Sequence, residues 1–158
     1  MIGRVYKDLF MRYSDAGNDI LAESNLEKAI DAYKSGFDAD WRDAYPGVNL
    51  VTLLYIKGEN ELLEQYLPVV KFAIQQKLKA KRIDYWDVAT VGELEVLSGN
   101  FEEAKKQYVT AVELIENNEY WMLESSIGNL KMISSTKKNG NDLQPLISAL
   151  EEILTSYT

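Results

Sequence analysis

Cysteine and histidine are both absent from this 158-residue protein. Their absence removes disulfides, thiolate nucleophiles, imidazole bases and the usual zinc ligands together, so no metal and no cofactor is expected. A sequence without cysteine suits a reducing compartment, and a cytoplasmic location is expected. Proline is scarce, with Pro46, Pro68 and Pro145 alone, so few positions forbid a helix. The longest apolar run, Val48 to Ile56, is interrupted by Asn49 and Thr52. It falls short of the roughly 20 residues that a bilayer-crossing helix needs. No leader pattern is visible, because Arg4 and Lys7 precede a mixed helix rather than an apolar core. Basic residues number 17 against 25 acidic, a formal charge of −8. That balance disfavours nucleic acid and anionic membrane as partners.

What is present is helix. The apolar content of 46% is that of a globular protein, and its length suits one domain over residues 1–158. The most informative stretch runs from Asp84 to Asn118. There Gly92 is followed by Gly99, Ala104, Tyr108 and Ala111. A tetratricopeptide repeat, a helix–turn–helix of about 34 residues, places its small and aromatic packing residues in this order. Gly92 and Ala104 would let two antiparallel helices approach, and Tyr108 would fill the space beside them. One such unit cannot bury its apolar face alone, so neighbours are implied.

The remaining residues supply them. A first helix is expected over Ile2–Tyr13, burying Ile2, Val5, Tyr6, Leu9, Phe10 and Tyr13, with Gly3, Arg4, Lys7 and Asp8 opposite. Residues Ser14–Asp19 read as a polar loop. Ser24 and Glu27 read as a capping box for a second helix, in which Ala29, Tyr33 and Gly36 repeat the spacing of Ala104, Tyr108 and Ala111. A third helix is expected from Pro46 to Lys57, ended by Gly58, 34 positions after Ser24. A fourth spans Asn60–Leu78, with Leu63, Leu67 and Val70 as a degenerate copy and Pro68 as a kink or interruption. A basic run, Lys77 to Arg82, precedes Asp84, which caps a fifth helix. Gly99 lies 41 positions after Gly58, which reads as an insertion in the 34-residue period. Asn100 and Glu103 read as a capping box for a sixth helix. A seventh would start at Asn117 or Asn118 and end near Ser134. Residues 135–142 read as a loop and Leu143–Leu154 as an eighth helix. The expected fold is all-α: a tetratricopeptide-like right-handed stack of about eight helices in four antiparallel pairs.

Four segments go beyond the generic repeat: GRVYKDLF at Gly3–Phe10, AIDAYKSGF at Ala29–Phe37, YPGVNLVTLL at Tyr45–Leu54 and YWDV at Tyr85–Val88. In this order they resemble the helical central region of the apoptosis signal-regulating kinases, known as their TRAF-binding domain, and its bacterial relatives. The resemblance covers about Gly3 to Leu130. It implies a regulatory module within a larger signalling protein. None of these segments belongs to a kinase domain.

Candidate residues are few. Arg4 and Lys7 share a helix face with Asp8. They could be solvated ion pairs or an anion or peptide-carboxylate contact in the groove, because first helices line the concave side of such stacks. Asn49 interrupts an apolar helix and could satisfy an interior group or project into the groove. Trp86 and Trp121 could be core or platform. Asp87 most simply supports a helix N-terminus. Lys77, Lys79, Lys81 and Arg82 could favour a helix C-terminus or meet a phosphate or an acidic partner. For catalysis, Glu102/Glu103 and Glu151/Glu152 point in different helical directions, Ser125 and Ser126 have no histidine to activate them, and no Gly-rich phosphate loop occurs. The expected function is noncatalytic: recognition of a peptide or neighbouring domain of its own parent protein by Arg4, Lys7, Asn49, Trp86 and Trp121. The alternative is a small nucleotide-like ligand, with Arg4 and Lys7 on phosphate and Trp86 or Trp121 on the base.

Overall fold

The computed structural model describes residues 2–136 and 142–158. Among them lie eight α-helices and no strand: α1 (Ile2–Asp15), α2 (Asp19–Ala39), α3 (Ala44–Lys57), α4 (Asn60–Lys77), α5 (Tyr85–Leu97), α6 (Phe101–Glu113), α7 (Trp121–Ser134) and α8 (Gln144–Tyr157). The expected all-α class with paired helices is what forms. The helices gather into two compact units, Met1–Ala73 and Ile74–Thr158. Residues 137–141 of the expected loop fall outside the described residues.

Three hairpins share one turn. Gly17, Gly58 and Gly99 each have positive φ, 72°, 84° and 79°, a backbone state open to glycine at no steric cost. After each glycine, the next residue donates its N–H to the carbonyl five positions back. Asn18 reaches Tyr13 at 2.9 Å, Glu59 reaches Leu54 at 3.0 Å and Asn100 reaches Glu95 at 2.9 Å. This bond closes the end of a helix on its own orphan carbonyl. The three glycines are spaced 41 and 41 positions apart. The period is therefore 41 throughout, not 34 with an insertion.

That period corrects the first turn. Ser14–Asp19 is the hairpin turn itself, with α1 running through Asp15 and α2 starting at Asp19. The Asn18 carboxamide oxygen caps α2 by accepting from Leu21 N at 3.2 Å, so the helix needs no box at Ser24. Ser24 lies inside α2, and Glu27 instead pairs with Lys57 at 3.2 Å. Counted from the turn glycine, the counterparts of Ala104, Tyr108 and Ala111 are Ala22, Leu26 and Ala29, all buried.

In unit 1 the core is centred on α3. Pro46 to Leu54 are buried on every face of that helix, as expected of a helix that is apolar all round. Asp43 caps it, accepting from Tyr45 N at 3.1 Å. Tyr33 and Phe37 of α2 pack inward, with Val70 and Ala73 of α4. On α1 the buried positions are Gly3 and Phe10, while Ile2 and Val5 are exposed. The apolar periodicity sets Gly3 on the polar face. It is buried instead, because the Tyr33 ring lies 3.1 Å from where its Cβ would stand. Helix α4 runs through Pro68 without interruption.

In unit 2, α5 pairs with α6 and α7 with α8, while α5 also meets α7 and α6 meets α8. Asp84 and Asp87 form a reciprocal capping box, each carboxylate accepting a backbone N–H at 3.0 Å. Gly92 and Ala104 are both buried, and the group filling the space before Gly92 is the Tyr108 ring at 2.9 Å. Asn100 holds the N-cap position of α6 without a capping bond. Its amide donates instead to Glu95 Oε2 at 2.8 Å, so no box with Glu103 forms. Asn117 and Asn118 take left-handed φ of 55° and 57°, which delays α7 to Trp121.

Candidate functional site

In unit 1 the sequence candidates fall on α1 and α3. Lys7 Nζ donates to Asn49 Oδ1 at 2.9 Å. Asn49 is only 9% exposed, and its amide donates to the Tyr45 carbonyl at 2.9 Å. The interior reading of Asn49 is the one that the structure supports. Its amide is a satisfied interior group, and its oxygen holds a lysine of the neighbouring first helix. Arg4, one turn before Lys7, is exposed and makes no hydrogen bond or ion pair among the described residues. Beside it, Tyr33 and Tyr45 meet edge to face with ring centroids 6.3 Å apart. Burial pushes the pKa of the Tyr33 hydroxyl up.

In unit 2 the two tryptophans come together. Trp86 of α5 and Trp121 of α7 are 38% and 55% exposed, with ring centroids 5.9 Å apart and planes at 51°. Neither is a core residue. Tyr85 is buried beside Trp86, its ring edge-on to it at 5.1 Å and its hydroxyl donating to Ser126 Oγ at 2.8 Å. Burial pushes the Tyr85 pKa up to about 12, against the Ser126 hydrogen bond. Of the basic run, Lys77 pairs with Asp87 at 3.0 Å and Lys79 Nζ donates to Gln76 Oε1 at 3.4 Å.

Candidate residues therefore join first helices within each unit: α1 to α3 by the Lys7–Asn49 hydrogen bond, and α5 to α7 by the contact of Trp86 with Trp121. One further surface is not among the sequence candidates. A groove of about 480 Å³ in unit 1 is lined by Phe37, Asp38, Trp41, Gln65, Tyr66 and Val69. Tyr66 donates its hydroxyl to Asp38 at 2.6 Å. Asp38 also takes Lys34 at 2.7 Å, and these bonds, Lys34 first, hold its carboxyl below the usual range. The signal for it in the sequence is Trp41, an aromatic in the charged stretch Asp38–Asp43, flanked directly by Asp40 and Arg42.

Among the described residues, no group of acidic residues is placed to hold a metal ion. No described helix is long and apolar enough to cross a membrane. Paired helices, a recurring glycine turn and exposed aromatic clusters define the class, an all-α helical-repeat protein. The chain belongs to the family of the MAP3K TRAFs-binding domain, whose sequence model matches residues 1–153. It is similar to the mitogen-activated protein kinase kinase kinase nsy-1 of Caenorhabditis elegans, 33% identical over 141 residues. That match covers 85% of this protein and 9% of the kinase's length. No solved structure matches it.

Proposed function

We propose that this is a noncatalytic regulatory module of a longer cytoplasmic signalling protein, binding protein segments through the first helices of each unit. The carrying observation is that in each unit the first helices meet through candidate residues, Lys7 with Asn49 and Trp86 with Trp121. Arg4 supplies an unpaired cation in an acidic protein and focuses an acidic group of the partner. Trp86 and Trp121 supply broad apolar area with little rotamer entropy to lose. The family's name points to TRAF proteins as partners, and a neighbouring domain of the parent protein is the other source. Family membership also fits a binding role, because the matched family is a binding domain.

The test is titration of a purified TRAF domain onto the labelled protein. Trp121→Ala should weaken binding about tenfold or more with melting nearly unchanged, as for an aromatic anchor. Arg4→Ala should weaken it less, and its effect should shrink in high salt. Unaltered affinity in both variants, with a TRAF domain that binds the wild type, would remove the first helices of both units from the binding surface.

A further inference from the structure

Among the described residues one buried side-chain polar atom has no hydrogen-bond partner, the hydroxyl oxygen of Tyr33. The residue is 3% exposed, and its ring is pressed onto Gly3, with Cζ 3.1 Å from an added Cβ. The hydroxyl end therefore sits beside the first turns of α1. Three residues act on it there. Tyr45 stands edge-on, its hydroxyl near enough to raise the Tyr33 pKa further yet short of a formed hydrogen bond. Arg4 and Asp8, one turn apart on α1, exert opposite electrostatic effects on the hydroxyl, and Asp8 does not bond to it. A buried hydroxyl left without an acceptor costs about 1–3 kcal/mol. A group that keeps such a cost in a native structure calls for an explanation, and an arriving ligand is one that recovers it.

We propose that Tyr33, Arg4 and Tyr45 form a receptor for a carboxylate of the partner segment. This rests on the reading of the Arg4 face as a working surface. The chemistry selects the ligand. A guanidinium has no acceptor, and the Tyr33 O–H lacks one, so the complement is an oxygen acceptor with negative charge. Arg binds carboxylate through two parallel hydrogen bonds. Asp8 on the rim and a net charge of −8 oppose a doubly charged phosphate more than a singly charged carboxylate. Arg4 and Tyr45 are both exposed, and exposed rotamers exchange in picoseconds to nanoseconds, so both can turn toward an arriving carboxylate.

The carboxylate could come from an Asp or Glu residue or from a polypeptide's C-terminal end, and peptide probes separate them. The isotope-labelled protein is titrated by NMR with acetyl-Ala-Glu-Ala-amide, acetyl-Ala-Ala-Ala carboxylate, acetyl-Ala-Gln-Ala-amide and inorganic phosphate. One or both carboxylate peptides should move the Arg4 and Tyr33 signals, and the better one names the source. The glutamine peptide and phosphate should not. Tyr33→Phe should raise the melting temperature of the free protein, since it deletes the unsatisfied group, and should weaken carboxylate binding about tenfold. Tyr45→Phe should fold normally and weaken binding less. The proposal is overturned if Tyr33→Phe lowers melting or leaves carboxylate affinity unchanged, if phosphate or the glutamine peptide binds equally well, or if neither carboxylate peptide binds. Should Arg4→Ala and Trp121→Ala still weaken the TRAF-domain complex in that case, the binding face stands and only the carboxylate receptor falls.

Discussion

Replacing Gly47 with alanine should destabilise unit 1, whereas the same change at Gly128 should stabilise unit 2. Both glycines are inside helices, α3 and α7, so each gains about 0.8–1.0 kcal/mol of helix propensity from the methyl group. They differ in what that methyl would meet. At Gly47 an added Cβ lies 2.7 Å from Phe37 Cε1, 2.8 Å from Phe37 Cδ1 and 2.9 Å from Val70 Cγ2. Carbon pairs rest at about 3.5–4.0 Å. Phe37 is 1% exposed and Val70 0%, so neither has an open side to move into. Overpacking of a filled core costs about 1–3 kcal/mol, which outweighs the propensity gain over most of that range. At Gly128 no atom lies within 4 Å, so the gain survives, about 0.4–1 kcal/mol. For a protein of this size each kcal/mol moves the melting temperature by about 2–4 °C. Scanning calorimetry should show Gly47→Ala melting up to about 8 °C lower and Gly128→Ala a few degrees higher. If Gly47→Ala proved as stabilising as Gly128→Ala, the close approach of α2, α3 and α4 at Gly47 would be refuted.

Ala104→Leu should destabilise by about 1–3 kcal/mol because Ala104 is fully buried, while Lys105→Leu on the exposed face should change stability by under about 0.5 kcal/mol in urea unfolding. Asp84→Ala removes the acceptor for Asp87 N and should cost about 0.5–2 kcal/mol in the same assay. Tyr85, with its folded pKa pushed up to about 12 against about 10 unfolded, holds its proton more tightly in the folded state. Its contribution is full below about pH 10 and lost as the pH rises to about 12. Tyr33 and Tyr108, also pushed up by burial, add to the same fall, so a stability profile should drop in that window and Tyr85→Phe should make the drop shallower without abolishing it. Lys7→Met should cost about 1–3 kcal/mol by taking the lysine from the buried Asn49 oxygen, where Arg4→Ala should cost under about 0.5 kcal/mol.

The clearest repeat is legible because its residues are local. Gly92, Gly99, Ala104, Tyr108 and Ala111 lie within one hairpin, and each does there what its size allows. The first repeat is out of register because two different glycine-and-aromatic pairs look alike in sequence. Tyr33 packs on Gly3 as Tyr108 packs on Gly92, but farther from its turn, and aligning the two tyrosines shifts the hairpin by two helical turns. The turn itself carries the correct signal, a Gly-Asn pair at Gly17–Asn18 and Gly99–Asn100 and a Gly-Glu-Asn at Gly58–Asn60. The same pair recurs in the sequence at Gly140–Asn141, again 41 positions on. The candidate residues are visible because they break a pattern: a cation in an acidic protein, an amide in an apolar helix, a tryptophan beside a cap. The Tyr33 hydroxyl is not, and of the groove only Trp41 shows, because a groove's other walls and a hydroxyl's missing partner are properties of packing between helices distant in sequence.

On the proposed binding face, the pairing of Lys7 with Asn49 would link recognition to folding in unit 1. A lysine held by a buried amide of the next helix keeps its charge at a fixed place, and the energy that fixes it comes from the same hydrogen bond that ties α1 to α3. Arg4 lacks such a tether and stays free to turn toward a ligand. A surface built this way has one cation that positions the helices and one that is available, so the two should separate cleanly: changes at Lys7 move stability and binding together, and changes at Arg4 move binding alone. Trp86 and Trp121 divide in the same sense. Trp86 leans on Tyr85, whose hydroxyl is anchored to Ser126 in α7, whereas Trp121 is the more exposed ring and the one with more area left to give a partner.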